Sequence, residues 1–489
     1  MTPCSYAEAI TGPYSSQWQA AMDAKMASLK STGTYVDAVP PSGANIVDGM
    51  WIFRVKRPPG SLPAFKARYV ARGFSQRQGV DYFQTFSPTP KMTSLRVLLH
   101  VDAQRDYDLH SLDLSTAFLQ GSLHEEIWLR RPPGFTGTFP AGTQWSLQRP
   151  VYGLRQAPLE WHNTLRTTLG VLGFTPSTTD PSLFLRIDTL LPPFYVLVYV
   201  NDLVFATADN EALTLVKSEL QKRHTCTNLG ELRSYLGLQI TRESTVHHHP
   251  DSVTHGAPGP LALRLPVLLA TPHSSVYWPL ALSSTFERVR RAKWSLPRAC
   301  GLPHRVLCYL CRTSGMGLVL GGRGPVVLTG HADASWVDDL ATQRTSQGVT
   351  FSLGSGFVSW RSTCLSLVLS SSCEAEIYAG AMAAQELRLL TYLLTDLGEQ
   401  PRLPPVLYVD NKAMIALCQE HRLEDRTKHI ALQYFLAREL QQRGQLHLAY
   451  VASKANIADI FTKALQSDDP QRYSTMLGLV PTLPHLLTA

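Results

Sequence analysis

Apolar residues recur along this chain with two different spacings. Trp18, Met22, Met26 and Leu29 return at helical intervals, which predicts a packed amphipathic helix with Ser15 or Ser16 as its cap. Phe194 to Ala206 reads FYVLVYVNDLVFA. Val, Tyr, Phe and Leu favour strands, and Asn201-Asp202 favours a turn, so this segment predicts a β-hairpin with a polar tip. Upstream, LHSLDLSTAFLQG sets one acid, Asp113, inside an apolar stretch, where a carboxylate is costly without a metal or a partner. Beyond residue 326 the segments VVLTGHAD, GVTFSL and GFVSW read as three short strands. EAEIYAGAMAAQELRLLTYLLTDLG then predicts a long helix stopped at Gly398. VLYVDN is a strand, IALQYFLARELQQRG a helix ending at Gly444, LHLAYV a strand and NIADIFTKAL a last helix. That order is mixed α/β.

Residues 246 to 304 break the pattern. VHHHPDSVTHGAPGPLALRLP clusters His and Pro with no usable period, and FERVRRAKWSLPRACGLP is basic without an apolar stripe. His247 to His249 have no ordered scaffold to present them to a metal. Composition adds little: 44% hydrophobic and 17% charged residues are globular proportions, and a net charge of +7 is compatible with nucleic acid without establishing it. The 8 cysteines show no repeated pair spacing, which favours reduced thiols in a cytoplasmic or nuclear setting. Cys308 and Cys311 form a lone C-x-x-C, better read as a helix face than as a zinc site. The amino terminus lacks a signal-peptide pattern, and no apolar run is long enough to cross a membrane.

The segment around Asp113, RPVYGLRQAPLEW from Arg149 to Trp161, and the hairpin together resemble motifs A, B and C of the reverse transcriptases of copia-type LTR retrotransposons. The resemblance runs from about residue 15 to about residue 243 and resumes at Arg305. It implies α+β polymerase fingers and palm followed by an α/β RNase H-like domain with a mixed sheet. The expected layout is a lead-in helix at 1–34, the reverse transcriptase at 35–245, a degenerate segment at 246–304, a connection remnant at 305–325, the RNase H-like domain at 326–465 and a tail at 466–489. No integrase, protease or nucleocapsid segment is expected. By resemblance Asp113 and Asp202 are metal ligands. Motif C in this family reads Tyr-Val-Asp-Asp, and here Asn201 stands where its first carboxylate is expected. Lys66 and Arg68 are candidate triphosphate contacts, since cations there suit dense negative charge. Phe118 matches the residue that screens the sugar 2′ position, although a core aromatic fits the sequence equally. Tyr152, Gly153 and Gln156 fall in the motif lining the nucleotide pocket and template strand.

The same resemblance makes Asp333, Glu376, Asp410 and Asp459 ligands of two magnesium ions, or manganese in their place, that cut the RNA strand of an RNA–DNA hybrid. His429 is a candidate for assisting water or product. Phosphoryl transfer needs cations that neutralise charge and align the attacking and leaving oxygens. Hence Asn201 implies an impaired polymerase, while four acids imply a complete nuclease site. The implied partners are RNA template, DNA primer, RNA–DNA hybrid and dNTP. The alternatives are a nuclease alone, an inactive nucleic-acid-binding remnant and a chain that does not fold. Residues 246–304 are expected to be a frame-shifted reading that joins no native fold, and 326–465 to fold by itself.

Overall fold

A computed structural model describes residues 2–56, 62–135, 140–242, 261–264, 316–322, 325–339, 343–401, 403–419, 435–463 and 475–481. His247 to His249, Cys308, Cys311 and His429 lie outside these residues.

The amino-terminal helix runs Ser15–Ser31 and buries Trp18, Met22, Met26 and Leu29, as their spacing requires. Its cap differs from expectation. Tyr14 occupies the cap position without a side-chain bond, and Ser15 and Ser16 lie within the first turn. Ser16 bonds instead to the neighbouring Gln17 side chain. The helix packs on a hairpin formed by Gly49–Lys56 and Ala64–Ala71, where Trp18 meets Phe53 and Phe65 edge-on at 5.1 and 4.7 Å.

A six-stranded sheet lies at the centre of the chain. Its order in space is Cys226–Glu231, Asp108–Leu114, Asp202–Thr207, Phe194–Tyr199, Leu183–Arg186, Thr175–Pro176, and every pairing is antiparallel. The two hairpin strands are almost wholly buried, since helices cover both faces. Tyr199 pairs with Asp202, so the two-residue turn is Val200-Asn201, one position earlier than the polar pair suggested. Val200 takes φ 55° there, a conformation uncommon for a β-branched residue. Trp161 holds it: its indole N–H donates to the Val200 carbonyl at 2.5 Å.

Part of the segment expected to join no fold does join it. Leu261–Arg264 forms a strand between Leu238–Arg242 and Met316–Leu320, antiparallel to both. The pairing is through main-chain groups, which any non-proline sequence supplies. The rest of 246–304 lies outside the described residues.

The carboxy-terminal unit is a five-stranded mixed sheet in the order Gly356–Cys364, Arg344–Leu353, Leu328–Asp339, Val406–Val409, His447–Tyr450. The first three strands are antiparallel, and the last two continue parallel to Leu328–Asp339. The long helix Ser372–Asp396 packs on it, and Gly398 follows at φ 74°. The last predicted helix is, in its described part, a 3-10 helix at Ile457–Phe461.

This unit shares a hydrophobic core with the central sheet. Leu98, Val101 and Tyr195 belong to the same buried cluster as Leu320, Phe351 and Leu387. Polar contacts fix the orientation. Arg96 of the helix Met92–Arg105 lies 3.9 Å over the Trp360 ring and donates to the Val358 carbonyl. Arg105 forks onto Glu399, Asp396 accepts from Ser177 and Thr179, and the Tyr195 hydroxyl donates to the Leu397 carbonyl.

Candidate active sites

The structure assembles two acid clusters. The first lies on the central sheet, where the antiparallel register sets Asp113 directly opposite Asp202. Asn201, in the turn, donates its amide N–H to Asp113 Oδ1 at 2.5 Å and approaches Asp202 Oδ1 at 3.4 Å. Its main-chain carbonyl accepts from Leu114 N, which ties the turn to the neighbouring strand. The two acids are half-buried. Burial, and then the Asp113 charge, push the Asp202 carboxyl up to about 6. One amide thus bonds closely to Asp113 and only marginally to Asp202, and brings no charge to offset theirs.

Phe118 and Tyr152 pack beside this cluster as a tilted pair with ring centroids 4.6 Å apart, and the Arg68 guanidinium sits 5.6 Å over the Tyr152 ring. Gly153 explains how Tyr152 comes so close to the hairpin. Its φ is 94°, and a Cβ there would lie 2.0 Å from the Ala71 carbonyl oxygen. Ala71 N also donates to the Tyr152 carbonyl. Lys66 is exposed two positions from Arg68, on the same face of its strand. Gln156 does not join this group. It is fully buried, donates to the Asp81 carbonyl at 2.7 Å and accepts from Gln76 at 3.0 Å. Its amide braces the loop around Asp81 and presents nothing to a pocket, because both ends already have protein partners.

The second cluster lies at one edge of the mixed sheet. Thr329, Gly330 and His331 pair in parallel with Val406, Leu407 and Tyr408, and continuing this register brings Asp333 beside Asp410. Asp459 enters from the 3-10 helix. Gly348, opposite Asp333, makes room for that helix, since a Cβ there would lie 2.7 Å from Phe461 Cβ. Asn456 caps the helix by accepting from Ala458 N and anchors it by donating to the Ala332 carbonyl. Ligand oxygens of Asp333, Asp410 and Asp459 all lie within 4.8 Å of one another. Glu376 comes from the second turn of the long helix, whose start is set by the Ser371 cap and by Glu374 accepting from Ser370.

The second cluster holds more buried acid than its protein partners offset. Glu376 Oε1 accepts weakly from Ala334 N at 3.4 Å, and Oε2 is buried with no partner. Burial, then Asp333 and Asp410, push Glu376 up to about 9. Burial also raises Asp333, against the pull of Thr462 and Lys463. The Thr462 hydroxyl donates to Asp333, and the Lys463 ammonium lies 2.6 Å from Asp459 Oδ1 and 3.3 Å from Asp333 Oδ1. Burial pulls the Lys463 ammonium down, but Asp459 and Asp333 outweigh it and hold it above its usual value. An all-oxygen donor set with an orphaned carboxylate oxygen fits a hard divalent cation such as magnesium. Sequence reasoning missed Asn456, Thr462 and Lys463. The available signals were Asn before an apolar helical start and the i,i+4 spacing of Asp459 and Lys463.

Residues 32–249 match the family model described as reverse transcriptase (RNA-dependent DNA polymerase). The chain is 32% identical to the retrovirus-related Pol polyprotein from transposon RE2 of Arabidopsis thaliana, over 97% of this chain and 35% of that protein. Against the Pol polyprotein from transposon RE1 of the same plant the identity is 32%, over 96% of this chain and 34% of that protein. The chain thus spans about a third of the length of these relatives. In shape it is similar to the foamy viral protease-reverse transcriptase in complex with RNA/DNA hybrid, with a TM-score of 0.49 at 12% identity, over 92% of this chain and 56% of that one. No described helix is long and apolar enough to cross a membrane.

Proposed function

We propose, on the premise that this chain belongs to the reverse transcriptase region of copia-type retrotransposon polyproteins, that it carries an impaired polymerase site and an intact nuclease site. In this reading the polymerase fingers and palm occupy about 35–245, and an RNase H-like domain occupies 326–465. The observation that carries it is the contrast in donors: an orphaned Glu376 oxygen beside three converging aspartates, against two aspartates already bonded to an amide.

At the nuclease site Asp333, Glu376, Asp410 and Asp459 would hold magnesium, which when bound activates water and neutralises charge on the phosphate. The protein's own part is positional. Strand register sets Asp333 and Asp410 side by side, the capped helix delivers Glu376, and Asn456 fixes the turn bearing Asp459. The substrate class is the RNA strand of an RNA–DNA hybrid. At the polymerase site Asp113 and Asp202 would remain as metal ligands, Arg68 and Lys66 would contact a triphosphate, and Phe118 beside Tyr152 would bound the sugar. Asn201 supplies an amide where a charge is needed.

The test is hybrid cleavage and primer extension by the purified chain with magnesium. Cleavage with little extension supports the reading. Extension at the rate of the Asn201→Asp variant, or no cleavage by a folded chain, overturns it.

A further inference from the structure

We infer that Lys463 is a resident counter-ion of the nuclease cluster, holding its carboxylates together until a divalent cation takes its place. This rests on the proposed nuclease reading and goes beyond it in assigning a residue that competes with the metal.

The Lys463 ammonium bridges Asp459 of the 3-10 helix and Asp333 of the strand it packs on. Among the described residues it is the cation within ion-pair distance of the four acids. The side chains differ sharply in exposure: 1% for Asp333 and 12% for Asp459, but 43% for Lys463. The ammonium therefore stands at the mouth of the cluster, with the acids beneath it.

Charge gives the direction of exchange. One ammonium against several carboxylates leaves the cluster negative, and it leaves Glu376 Oε2 without any donor. A divalent ion brings twice the charge and accepts several oxygens at once. A half-exposed lysine on a four-carbon stem can turn out to water at small cost. Arginine would bind a carboxylate as a planar fork and be harder to displace. Two rival roles make different demands. A fixed strut would be needed with or without the metal. A contact to substrate phosphate would leave metal affinity untouched.

The experiment uses the full chain, Lys463→Gln and Lys463→Arg. Titration with magnesium and manganese is followed by calorimetry, and thermal unfolding is recorded with and without saturating metal. Removing a half-exposed competing ion pair should tighten metal binding by Lys463→Gln about fivefold. Its melting temperature should fall without metal and return to that of the unsubstituted chain when saturated. Lys463→Arg, which keeps the charge, should bind metal no more tightly than the unsubstituted chain. Unchanged or weaker binding by Lys463→Gln overturns the inference, as does a melting deficit that persists at saturation. If Lys463→Gln fails to fold even with metal, the strut role holds and the inference is wrong. Tighter binding by Lys463→Arg overturns it too. The proposed nuclease function fails separately, through absence of metal binding and hybrid cleavage in the unsubstituted chain.

Discussion

The two acid clusters are built alike and balanced differently. Each begins with aspartates set side by side by strand pairing, Asp113 with Asp202 and Asp333 with Asp410. In the first, the gap between carboxylates is filled by the Asn201 amide. In the second, the Lys463 ammonium bridges Asp333 to a third aspartate, Asp459. An amide satisfies lone pairs but brings no charge, whereas an ammonium offsets charge and can leave. In the first arrangement the amide bonds to both aspartates, and the second remains short of donors at Glu376. Both sites start from strand-paired aspartates, and the groups that gather around the pair set the charge balance of each.

The largest expected effect tests that contrast directly. Asn201→Asp restores one formal charge to the first cluster. A two-metal site deprived of one ligand charge loses roughly 4 kcal/mol of transition-state stabilisation, so primer extension should rise about a thousandfold. Equal extension by both chains would erase the distinction. Without metal the same variant should be less stable, because three carboxylates would replace two and an amide.

Next, Asp410→Asn removes one of the three converging carboxylates of the second cluster while leaving the Lys463 pair intact. Hybrid cleavage should fall by about a hundredfold or more, and stabilisation by magnesium should shrink. Cleavage at the original rate would mean that the three-aspartate geometry is not the site.

A third prediction asks whether both clusters sit in one cooperative body. Arg96→Ala removes the stacking on Trp360 and the bond to Val358 at the seam between the two units. The loss should be about 3 kcal/mol of stability. Near-ultraviolet signals from the central and mixed sheets should then melt earlier together. If only one unit melts earlier, the shared core does not couple them. The same seam predicts that a fragment of 326–465 alone, with surface such as Trp360 uncovered, is less stable than the unit in the full chain.

The smallest effect concerns acid. His100 is fully buried at this seam and accepts from Gly321 N, and burial holds it down to about 4. The unfolded chain takes up the proton near 6.5, so stability is full above that value and falls as pH drops toward 4. The contribution lost at pH 5 is about 2 kcal/mol. Denaturant unfolding at pH 7 and pH 5 should show this difference in the unsubstituted chain and less of it in His100→Gln. An equal drop in both would place the acid sensitivity elsewhere.

Much of this protein was legible from residue patterns alone. Helical spacing of Trp18, Met22, Met26 and Leu29, and the apolar runs on either side of Asn201, are local signals backed by burial. They determined the elements, their order and the acids they carry, because an apolar period must find a core and an acid among apolar residues must find a partner. Smaller local features depart from propensity where one contact outside the segment overrules it. The hairpin turn moved to Val200-Asn201 because Trp161 holds the Val200 carbonyl. Gln156 turned inward because Gln76 and the Asp81 carbonyl satisfy its amide.

Only the tertiary structure decided what lies between the acids. Neither the Asn201 bond to Asp113, across 88 positions, nor the Lys463 pair with Asp333, across 130, has a period or spacing to announce it. Sequence determines which charges a chain possesses. Which of them meet, and how far water is excluded where they do, depends on packing between elements distant in the chain, and the electrostatic balance of each cluster follows from that packing.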